Sequence, residues 1–311
     1  MSPRRELAAG LLLGTALDAL VPDPRRGHPV AAFGTAAGAL ERRMWADRRP
    51  RGGLFAAICV GGAALAGRAV ARRSGRWCVV ANAAGTWVVL GSRSLRTEGR
   101  AVHDLLAADD LAGARRRVTH LVGRDPSALD AGGVARAALE SVAENTCDAI
   151  VAPLFWGAVA GLPGLLAYRA VNTLDAMVGY RSPRYAKFGW ASARLDDLAN
   201  IVPARVTAGL VAITAPVVGG SGRAALQTAM ADGRNHPSPN SGYSEAAFAG
   251  ALGLRLGGTN AYAGRVEHRP RIGSGRPPTS DDLRRAGRLC AAVTAAAAVL
   301  AALLAVTGRR R

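Results

Sequence analysis

Long apolar runs alternate with polar, arginine-rich stretches along this chain. The run from Leu289 to Thr307 has about 19 residues without a charge, the length that a helix needs to cross a bilayer. Gly52 to Val70 is similar and carries only Arg68, whose long side chain can reach the membrane surface. Trp77 to Gly91 is shorter, with tryptophans near both ends as interface anchors. The pattern predicts that these runs are spanning helices. The short linker RRSGR, between Val70 and Trp77, predicts that the runs on either side of it form an antiparallel hairpin.

A further apolar stretch, residues 149–178, is interrupted by Pro153 and by the sequence GLPG at residues 161–164. Its pieces of about a dozen residues are too short to cross ~30 Å at 1.5 Å per residue. The stretch is therefore either one kinked span or a re-entrant hairpin that turns at LPG with its backbone buried in protein. We favour the hairpin, because it places the charged residues before and after the stretch on the same side.

Two more apolar segments are less regular. Residues 7–20 follow two arginines and precede no small-residue cleavage site, so we expect this segment to stay on the protein. Residues 201–220 contain Pro203, Arg205 and Pro216 and are not expected to form a plain span.

The remaining stretches are polar. Residues 92–147 have the spacing of helices, with Ser127 as a predicted helix cap, and residues 257–280 are rich in Gly, Pro and Arg, which predicts a surface loop. No alternating strand pattern and no G-x-G-x-x-G motif is present. The predicted fold is an all-α, polytopic integral membrane protein, a single membrane-embedded domain over residues 1–311, with helical extramembrane loops and broken or re-entrant helices.

Composition agrees with a membrane protein that has large polar loops: the 311 residues are 50% hydrophobic and carry a net charge of +18. The 40 basic residues lie mostly in clusters beside apolar runs, which favours an anionic membrane surface over nucleic acid as their partner. The four cysteines have no C-x-x-C spacing, so neither zinc nor a disulfide framework is expected. The chain has no Walker A loop, so a loop of that kind cannot hold nucleotide phosphates. It also lacks G-x-S-x-G and H-E-x-x-H, so a serine hydrolase or a zinc protease is unsupported.

Acidic residues are concentrated in the sequence ESVAENTCD. Glu140, Glu144 and Asp148 recur every four residues, so on a helix their carboxylates share one face beside Asn145. Like charges at this spacing repel, and a divalent cation or arginine partners would relieve the repulsion. A solvated acidic face is the alternative. We favour a functional role, because the carboxylates lead directly into an apolar segment.

A second group of polar residues lies near the end of the broken apolar stretch. Asn172 and Asp175 fall one helical turn apart in apolar surroundings, where an aspartate must be paired or ligated. The candidate partners are Lys187, Arg194 and Arg205, because these cations suit carboxylates and phosphates.

The sequence ARLDDLAN contains two adjacent aspartates that cannot share a helical face. Asp196 falls one turn before Asn200, whereas Asp197 points elsewhere. We therefore expect one of the two, which we assign as Asp196, to bind a metal or an arginine at the site and the other to be structural.

A third polar group lies in DGRNHPSPNSGYSEAAFAGALG. The two prolines predict an extended loop through Ser238 and Asn240, followed by a helix with Ser244 as a possible cap and Glu245 in its first turn. The N-terminus of such a helix favours anions. His236 is an acid–base candidate, although a histidine beside a proline is more often a turn residue.

Five blocks of this sequence resemble the adenosylcobinamide-phosphate synthases (cobinamide synthases) of cobalamin biosynthesis, which are integral membrane proteins. The blocks occur in family order up to about Gly258. They are HPVAAFG, GRD at residues 123–125, ESVAENTCDAIVAPLFW, NTLDAMVGYRSPRYAKFGWASARLDDLANIVPARVTA and DGRNHPSPNSGYSEAAFAGALGLRLGG.

The resemblance implies an ATP-dependent amide ligation. A carboxylate of the corrinoid adenosylcobyric acid would be joined to aminopropanol or its O-phosphate, with Mg²⁺ as cofactor, to give adenosylcobinamide or its phosphate. Residue chemistry then suggests three sets of roles. Catalysis is assigned to Glu144, Asp196, Glu245 and His236; substrate or phosphate binding to Lys187, Arg194, Arg205, Arg234, Asn145, Asn172, Ser238 and Asn240; metal binding to Glu140, Glu144, Asp148 and Asp175.

The expected location is the cell membrane, with the site on the cytoplasmic side because ATP is there. The expected partners are the corrinoid, the amine and the lipid bilayer, and no nucleic acid; the oligomeric state is left open. The alternative function is a membrane sensory or binding protein of the same architecture without ligase activity.

Overall fold

A computed structural model describes residues 2–24, 27–71, 75–123, 125–180, 182–262 and 265–308, with the backbone alone for 259–262 and 265–269. The chain divides into two compact units. One comprises Met1–Leu90, Asp148–Asn200 and Ala297–Arg311, and the other comprises Gly91–Cys147 and Ile201–Ala296. Parts of the predicted segments lie outside the described ranges: residues 72–74 of the linker RRSGR, Arg124 of GRD, Arg181 of the fourth block, and residues 263–264 of the predicted surface loop.

The described part of the chain is almost entirely helical. The first unit contains α1 (Pro3–Leu20), α2 (Pro29–Met44), α3 (Arg49–Ala71), α4 (Arg76–Val89), α8 (Ala152–Val178) and α9 (Trp190–Ala199). The second contains α5 (Ser92–Ala107), α6 (Leu111–Val118), α7 (Ala131–Thr146), α10 (Ile201–Thr214), α11 (Gly222–Asp232), α12 (Ser241–Leu252), β1 (Leu256–Tyr262) and β2 (Arg265–Ile272). A π-helix (Cys147–Val151) joins α7 to α8, a 3₁₀ turn (Ala215–Val218) extends α10, and α13 (Ser280–Thr307) contributes residues to both units.

Within the described ranges, four helical stretches are long and apolar enough to cross a membrane. They are Arg49–Ala71, Ala131–Val178, Ile201–Val218 and Ser280–Thr307. Each contains an 18-residue window of high mean hydropathy with at most two charged residues. A helix satisfies its backbone hydrogen bonds internally, which the bilayer interior requires. The prediction of an all-α, polytopic membrane protein is confirmed.

The helix α8 reverses direction at Gly161. This glycine has φ 64° and ψ −157°, a backbone conformation that side-chain-bearing residues rarely adopt, and Pro163 follows it. The hydroxyl of Tyr168 lies 3.2 Å from the carbonyl oxygen of Asp148, 20 residues earlier, whereas a straight helix would separate them by about 30 Å. The broken stretch is thus a helical hairpin, the geometry that the re-entrant interpretation requires.

Close helix packing in the first unit depends on glycines. Gly10 and Gly14 place α1 directly against α4, where a Cβ would overlap Asn82 or Thr86. The helix α4 therefore packs chiefly along α1, and the predicted hairpin with α3 is wrong. The cause is tertiary: the small residues on α1 permit the close approach of α4.

The helix α3 instead packs against α8 and the segment before α9. Gly52 is buried against Phe188, and a Cβ at this position would overlap the Phe188 carbonyl oxygen. Phe188 is itself fully buried and stacks on Phe55, with ring centroids 5.2 Å apart.

We expect Gly52→Ala to destabilise the protein and Gly53→Ala, one residue along the same helix, to be neutral or slightly stabilising. Both changes add the same methyl group and gain up to ~1 kcal/mol of helix propensity. Only the first meets backbone, since nothing lies within 4 Å of a Cβ at Gly53; overpacking of this kind costs ~1–3 kcal/mol. Thermal unfolding midpoints in one detergent would test the difference, and equal midpoints would contradict the packing described here.

The second unit is built around α12, which packs against α7, α10 and α11 and is buried along most of its length. The helix α7 is also largely buried within this unit. The extramembrane location predicted for residues 92–147 stays a prediction. The cap of α7 is Asp130, whose side chain accepts from the N–H of Gly133 at 2.7 Å, and not Ser127.

The predicted surface loop at residues 257–280 begins as a two-stranded antiparallel hairpin. The strands β1 and β2 pair Leu256 with Ile272 and Gly258 with Arg269, with a bulge between the two pairs. Gly257 occupies the bulge with φ +70°, which favours glycine. The pairing of β1 with β2 gives this segment a regular structure. Composition alone does not reveal such pairing.

Candidate functional site

The loop before α12 is held together by its own polar residues. Ser238 Oγ accepts hydrogen bonds from the backbone N–H groups of Asn240 and Ser241 at 3.3 Å and 3.2 Å. The backbone N–H of Ser238 donates to Nδ1 of His236 at 3.1 Å. The sequence HPSPNS therefore forms a compact turn that leads directly into the N-terminus of α12.

Glu144 of α7 reaches this turn. Ser241 Oγ donates to Glu144 Oε1 at 2.9 Å, and Ser238 Oγ lies 3.2 Å from Ser241 Oγ. The Glu144 side chain is half-buried, and its second oxygen makes no hydrogen bond to the described part of the chain. The site thus offers a positioned carboxylate oxygen that could accept a proton or bind a cation.

Two exposed arginines flank Tyr243, in the first turn of α12. Arg205 lies over the aromatic ring, with its Cζ 4.1 Å from the ring centroid, and donates to Asn240 Oδ1 at 3.0 Å. Arg234 Nε donates to the Tyr243 hydroxyl at 3.3 Å. The hydrogen bond from Arg234, aided by the charge of Arg205, holds the pKa of Tyr243 below its usual range. Two guanidinium groups beside a helix N-terminus are well suited to bind phosphate.

His236 and Glu245 form a buried pair behind the turn. His236 Nε2 lies 3.6 Å from Glu245 Oε1, and Glu245 is only 2% exposed. Because Nδ1 accepts from the Ser238 N–H, the proton of the neutral ring sits on Nε2 and faces Glu245. This arrangement favours a role in positioning the loop. The acid–base role assigned from the sequence stays a prediction.

The predicted start of α12 requires correction. The helix begins at Ser241 with Asn240 as its cap residue, so Ser244 lies inside it and Glu245 lies beyond its first turn. Gly242 is required by space, because a Cβ there would overlap the Gly233 carbonyl oxygen.

Two other predicted residues of α7 are occupied with structural contacts. Glu140, 2% exposed, accepts from the backbone N–H of Gly257 at 2.9 Å and so fixes the start of the β-hairpin. Asn145 donates to the carbonyl oxygen of Ser141 at 2.9 Å, within its own helix. Neither contact leads to the turn before α12.

The first unit contains the remaining predicted cations, and each has a local acidic partner. Lys187 Nζ lies 2.7 Å from Asp47, and Arg194 Nη1 lies 3.3 Å from Asp197. Neither ion pair involves Asp175, which was their predicted partner. Both lie at the surface, where such pairs contribute roughly 0–1 kcal/mol.

The two adjacent aspartates do separate as predicted, but with different partners. Asp196 accepts from Asn200 Nδ2 at 3.0 Å, and Asn200 Oδ1 lies 2.9 Å from the Tyr168 hydroxyl. Asp197 takes the arginine that was expected for Asp196. Asp196 therefore belongs to a network that fastens α9 to the α8 hairpin.

The predicted pair on α8 is also drawn into local contacts. Asn172 Oδ1 accepts from Arg169 Nη1 at 3.4 Å, one turn earlier on the helix. Asp175 is half-buried near the end of α8, where Gly179 packs closely against it. Sequence reasoning overlooked Arg169, which lies three residues before Asn172.

The described residues contain no group of three His, Cys, Asp or Glu side chains that could hold one metal ion. The four carboxylates assigned to metal are therefore not gathered into one centre: Glu140, Glu144, Asp148 and Asp175. Their predicted spacing assumed a continuous α-helix, whereas Asp148 lies in the π-helix. Mg²⁺ commonly binds one or two carboxylates together with substrate phosphates and waters, and Glu144 fits this smaller requirement.

Two residues of the site were missed from the sequence: Ser241 and Tyr243. Both lie in NSGYSE, inside a block that carried the family resemblance. Serine and tyrosine are common surface residues, so only the partners supplied by α7 and α10 distinguish them.

The model of the CobD/Cbib protein family matches residues 11–290. The chain belongs to the CobD/Cbib family. Three relatives of the chain, among others, carry the name cobalamin biosynthesis protein CobD. The protein of Mycobacterium tuberculosis H37Rv is 54% identical over 298 residues, covering 96% of this chain and 95% of the relative. That of Geobacter metallireducens is 46% identical over 284 residues, 88% of each chain. That of Sinorhizobium fredii is 42% identical over 316 residues, covering 95% and 97%.

Membership of the CobD/Cbib family gives the chain a role in cobalamin biosynthesis. The resemblance seen in the five sequence blocks is confirmed. No solved structure matches the chain.

Proposed function

We propose that this CobD/Cbib family member catalyses an ATP-dependent amide ligation. It would join aminopropanol, or its O-phosphate, to a carboxylate of adenosylcobyric acid. The observation that carries the proposal is the cluster at the start of α12. There, the half-buried carboxylate of Glu144 accepts a hydrogen bond from Ser241. Two exposed arginines bind neighbouring residues of the same segment: Arg205 donates to Asn240, and Arg234 donates to Tyr243. Phosphoryl transfer to a carboxylate needs an anion clamp, and acyl transfer to an amine needs a proton acceptor.

The proposed reaction proceeds in two balanced steps. A corrinoid carboxylate oxygen attacks the γ-phosphorus of ATP, and the bond from that phosphorus to the bridging oxygen breaks to release ADP. The amine nitrogen then attacks the resulting acyl phosphate, the carbon–oxygen bond breaks, and phosphate leaves with its electron pair. The proton lost by the nitrogen passes to a base. The products are the amide, ADP and phosphate.

In this proposal, the arginines bind the anionic groups of the substrates. Arg205 is held in place by Asn240 and by the face of Tyr243, so its remaining N–H groups are pre-oriented towards solvent. Arg234 is held by the Tyr243 hydroxyl. Together with the N-terminus of α12, they would hold phosphate oxygens and stabilise the charge that develops on them.

Glu144 is the proposed proton acceptor. Its Oε1 is fixed by Ser241, which leaves the other oxygen to face a substrate. The pair of His236 and Glu245 would keep the turn in shape from behind. When Mg²⁺ is bound, it would neutralise phosphate charge, and Glu144 is the carboxylate of this cluster that fits it.

The cellular setting forms part of the proposal. The apolar helices would place the protein in the cell membrane, and a site that uses ATP would face the cytoplasm. The corrinoid and the amine would enter the site from that side.

Reconstitution tests the proposal. We expect purified protein in detergent, given adenosylcobyric acid, ATP, Mg²⁺ and either amine, to form a new corrinoid amide with one ADP per amide. Mass spectrometry would identify the product, and parallel reactions would show which amine is used. Absence of product with both amines, together with failure to rescue a strain that lacks cobinamide synthase, would overturn the ligase assignment in favour of a binding or sensory role.

A further inference from the structure

Two helices of the second unit, α5 and α13, run antiparallel and are fastened at both ends. Ser92 Oγ lies 3.0 Å from Thr294 Oγ1, and His103 Nδ1 lies 2.9 Å from the carbonyl oxygen of Ser280. All of these residues belong to one unit, so the spacing of the two helices is set within it.

Between these ties, a surface cleft of about 420 Å³ is lined by five arginines and no acidic residue. The lining arginines are Arg93, Arg96, Arg100, Arg284 and Arg288. On α5 they recur every three or four residues and on α13 every four, so each helix presents a row of them along one face. Small and apolar residues form the floor, among them Gly287 and Ala291.

Two carboxylates on the same two helices bind arginines outside the cleft. Glu98 binds Arg117 at 2.7 Å, and the buried Asp282 binds Arg276 at 2.7 Å. Asp104 lies 3.9 Å from Arg100, the exposed last arginine of the α5 row. The cleft therefore holds a concentration of positive charge that the protein does not neutralise from its own lining.

Individual arginines also differ in what holds them. Arg288 Nη2 donates to the carbonyl oxygen of Val217 at 3.2 Å, which fixes one side of the cleft. Arg96 and Arg284 make no hydrogen bond or ion pair with the described residues. Their guanidinium groups can turn towards a ligand without breaking an existing contact.

The cleft lies where a helix enters its uncharged run. Arg288 immediately precedes the stretch from Leu289 to Thr307, which is long enough to cross a bilayer, and α5 follows the apolar helix α4. Basic pockets at this position along spanning helices are at the level of lipid headgroups. Arginine rows in such pockets match phosphate in both charge and geometry.

We propose that this arginine cleft is a binding site for a phosphate-bearing anion, either the headgroup of an anionic phospholipid or a soluble polyphosphate. The site shares no residue with the ligation cluster at α12, so its existence does not depend on the ligase assignment. A bound phosphate would relieve the repulsion among the arginines and tie α5 to α13 at a third place.

The test compares full-length protein with the double variant Arg96→Gln/Arg284→Gln, in nanodiscs of phosphatidylcholine alone, of phosphatidylcholine with cardiolipin, and of phosphatidylcholine with added pyrophosphate at fixed ionic strength. The matched control is Arg223→Gln/Arg255→Gln, which removes two exposed arginines of the same unit outside the cleft. Thermal unfolding midpoints and direct binding of each anion are the measurements.

We expect at least one anion to raise the midpoint of the wild-type and control proteins, because binding to the folded state stabilises it. The cleft variant should bind that anion roughly tenfold more weakly or worse, as loss of charge-assisted contacts implies. Without anion, the cleft variant should be at least as stable as wild type, because like charges have been removed.

The two anion arms identify the source of the phosphate. An effect of cardiolipin alone assigns the cleft to lipid, and an effect of pyrophosphate alone assigns it to a soluble ligand. The proposal is overturned if neither anion binds, or if cleft and control variants lose binding equally, since the effect would then be one of general charge.

Discussion

Glu144→Gln is expected to lower the rate of amide formation by about 10²–10⁴-fold, the range for loss of a general base. Glutamine keeps the size of the side chain, and its amide oxygen can still accept the hydrogen bond from Ser241. The turn before α12 should therefore keep its structure, and the unfolding midpoint should change little. Single-turnover rates with saturating substrates, measured beside thermal unfolding, would separate lost chemistry from lost folding.

The matched control is Glu98→Gln in the same unit. This substitution removes the ion pair with Arg117 at 2.7 Å and changes the contact with His120 at 3.1 Å, but Glu98 does not contact the turn. Its rate should stay close to that of wild type. A loss of activity in the control equal to that of Glu144→Gln, or full activity in Glu144→Gln, would remove Glu144 from the reaction.

A magnesium titration distinguishes the two roles open to Glu144. If the carboxylate binds Mg²⁺, raising the Mg²⁺ concentration should restore part of the rate of Glu144→Gln. If it is the base, excess Mg²⁺ should restore nothing, and the acid limb of the wild-type pH–rate profile should disappear in the variant.

Arg205→Ala is expected to reduce kcat/KM by about 10–100-fold, mainly through a higher KM for the anionic substrate. Charge-assisted contacts of arginine with phosphate contribute ~1.5–3 kcal/mol each, which corresponds to this factor. Arg205→Lys should recover only part of the loss, because lysine keeps the charge but loses the planar fork and the stacking on Tyr243. Steady-state kinetics with each substrate varied in turn would show which one depends on this arginine.

Arg223 provides the control, since it is an exposed arginine of α11 outside the cluster. Arg223→Ala changes the net charge equally but should leave KM within about twofold of wild type, as expected for a screened surface charge. A similar rise in KM for both variants would indicate general steering of the anion by net charge. Arg205 would then have no specific part in binding.

Much of the fold follows from the length of apolar runs and from their breakers. The sequence GLPG predicted the turn of α8, because glycine at residue 161 tolerates the reversed backbone and proline cannot continue a regular helix. The sequence could not predict that α4 packs along α1, because that choice depends on Gly10 and Gly14 meeting small positions of another helix. It also missed the β-hairpin, whose strands are specified by pairing and a glycine bulge more than by alternation.

The site was predicted in part for a similar reason. The residues of HPSPN were identified because prolines and polar groups in a short loop constrain one another locally. Partners from distant segments could not be inferred, and so Ser241 and Tyr243 were missed, although they bind Glu144 and the two arginines. The proposed carboxylate cluster failed where helical spacing was extrapolated across a change of helix type at Cys147–Val151.

The reversal at Gly161 has a consequence for topology assignment. The limb before Gly161 continues α7 and the π-helix, and the limb after it, residues 162–178, is roughly 25 Å long at 1.5 Å per residue. A hydropathy plot records residues 149–178 as one crossing, whereas a hairpin contributes an even number of crossings, either none or two. A topology drawn by counting apolar peaks would then assign every later loop to the wrong side of the membrane. Reporter fusions placed after this segment should therefore be compared with fusions before it, and not with a count of apolar segments.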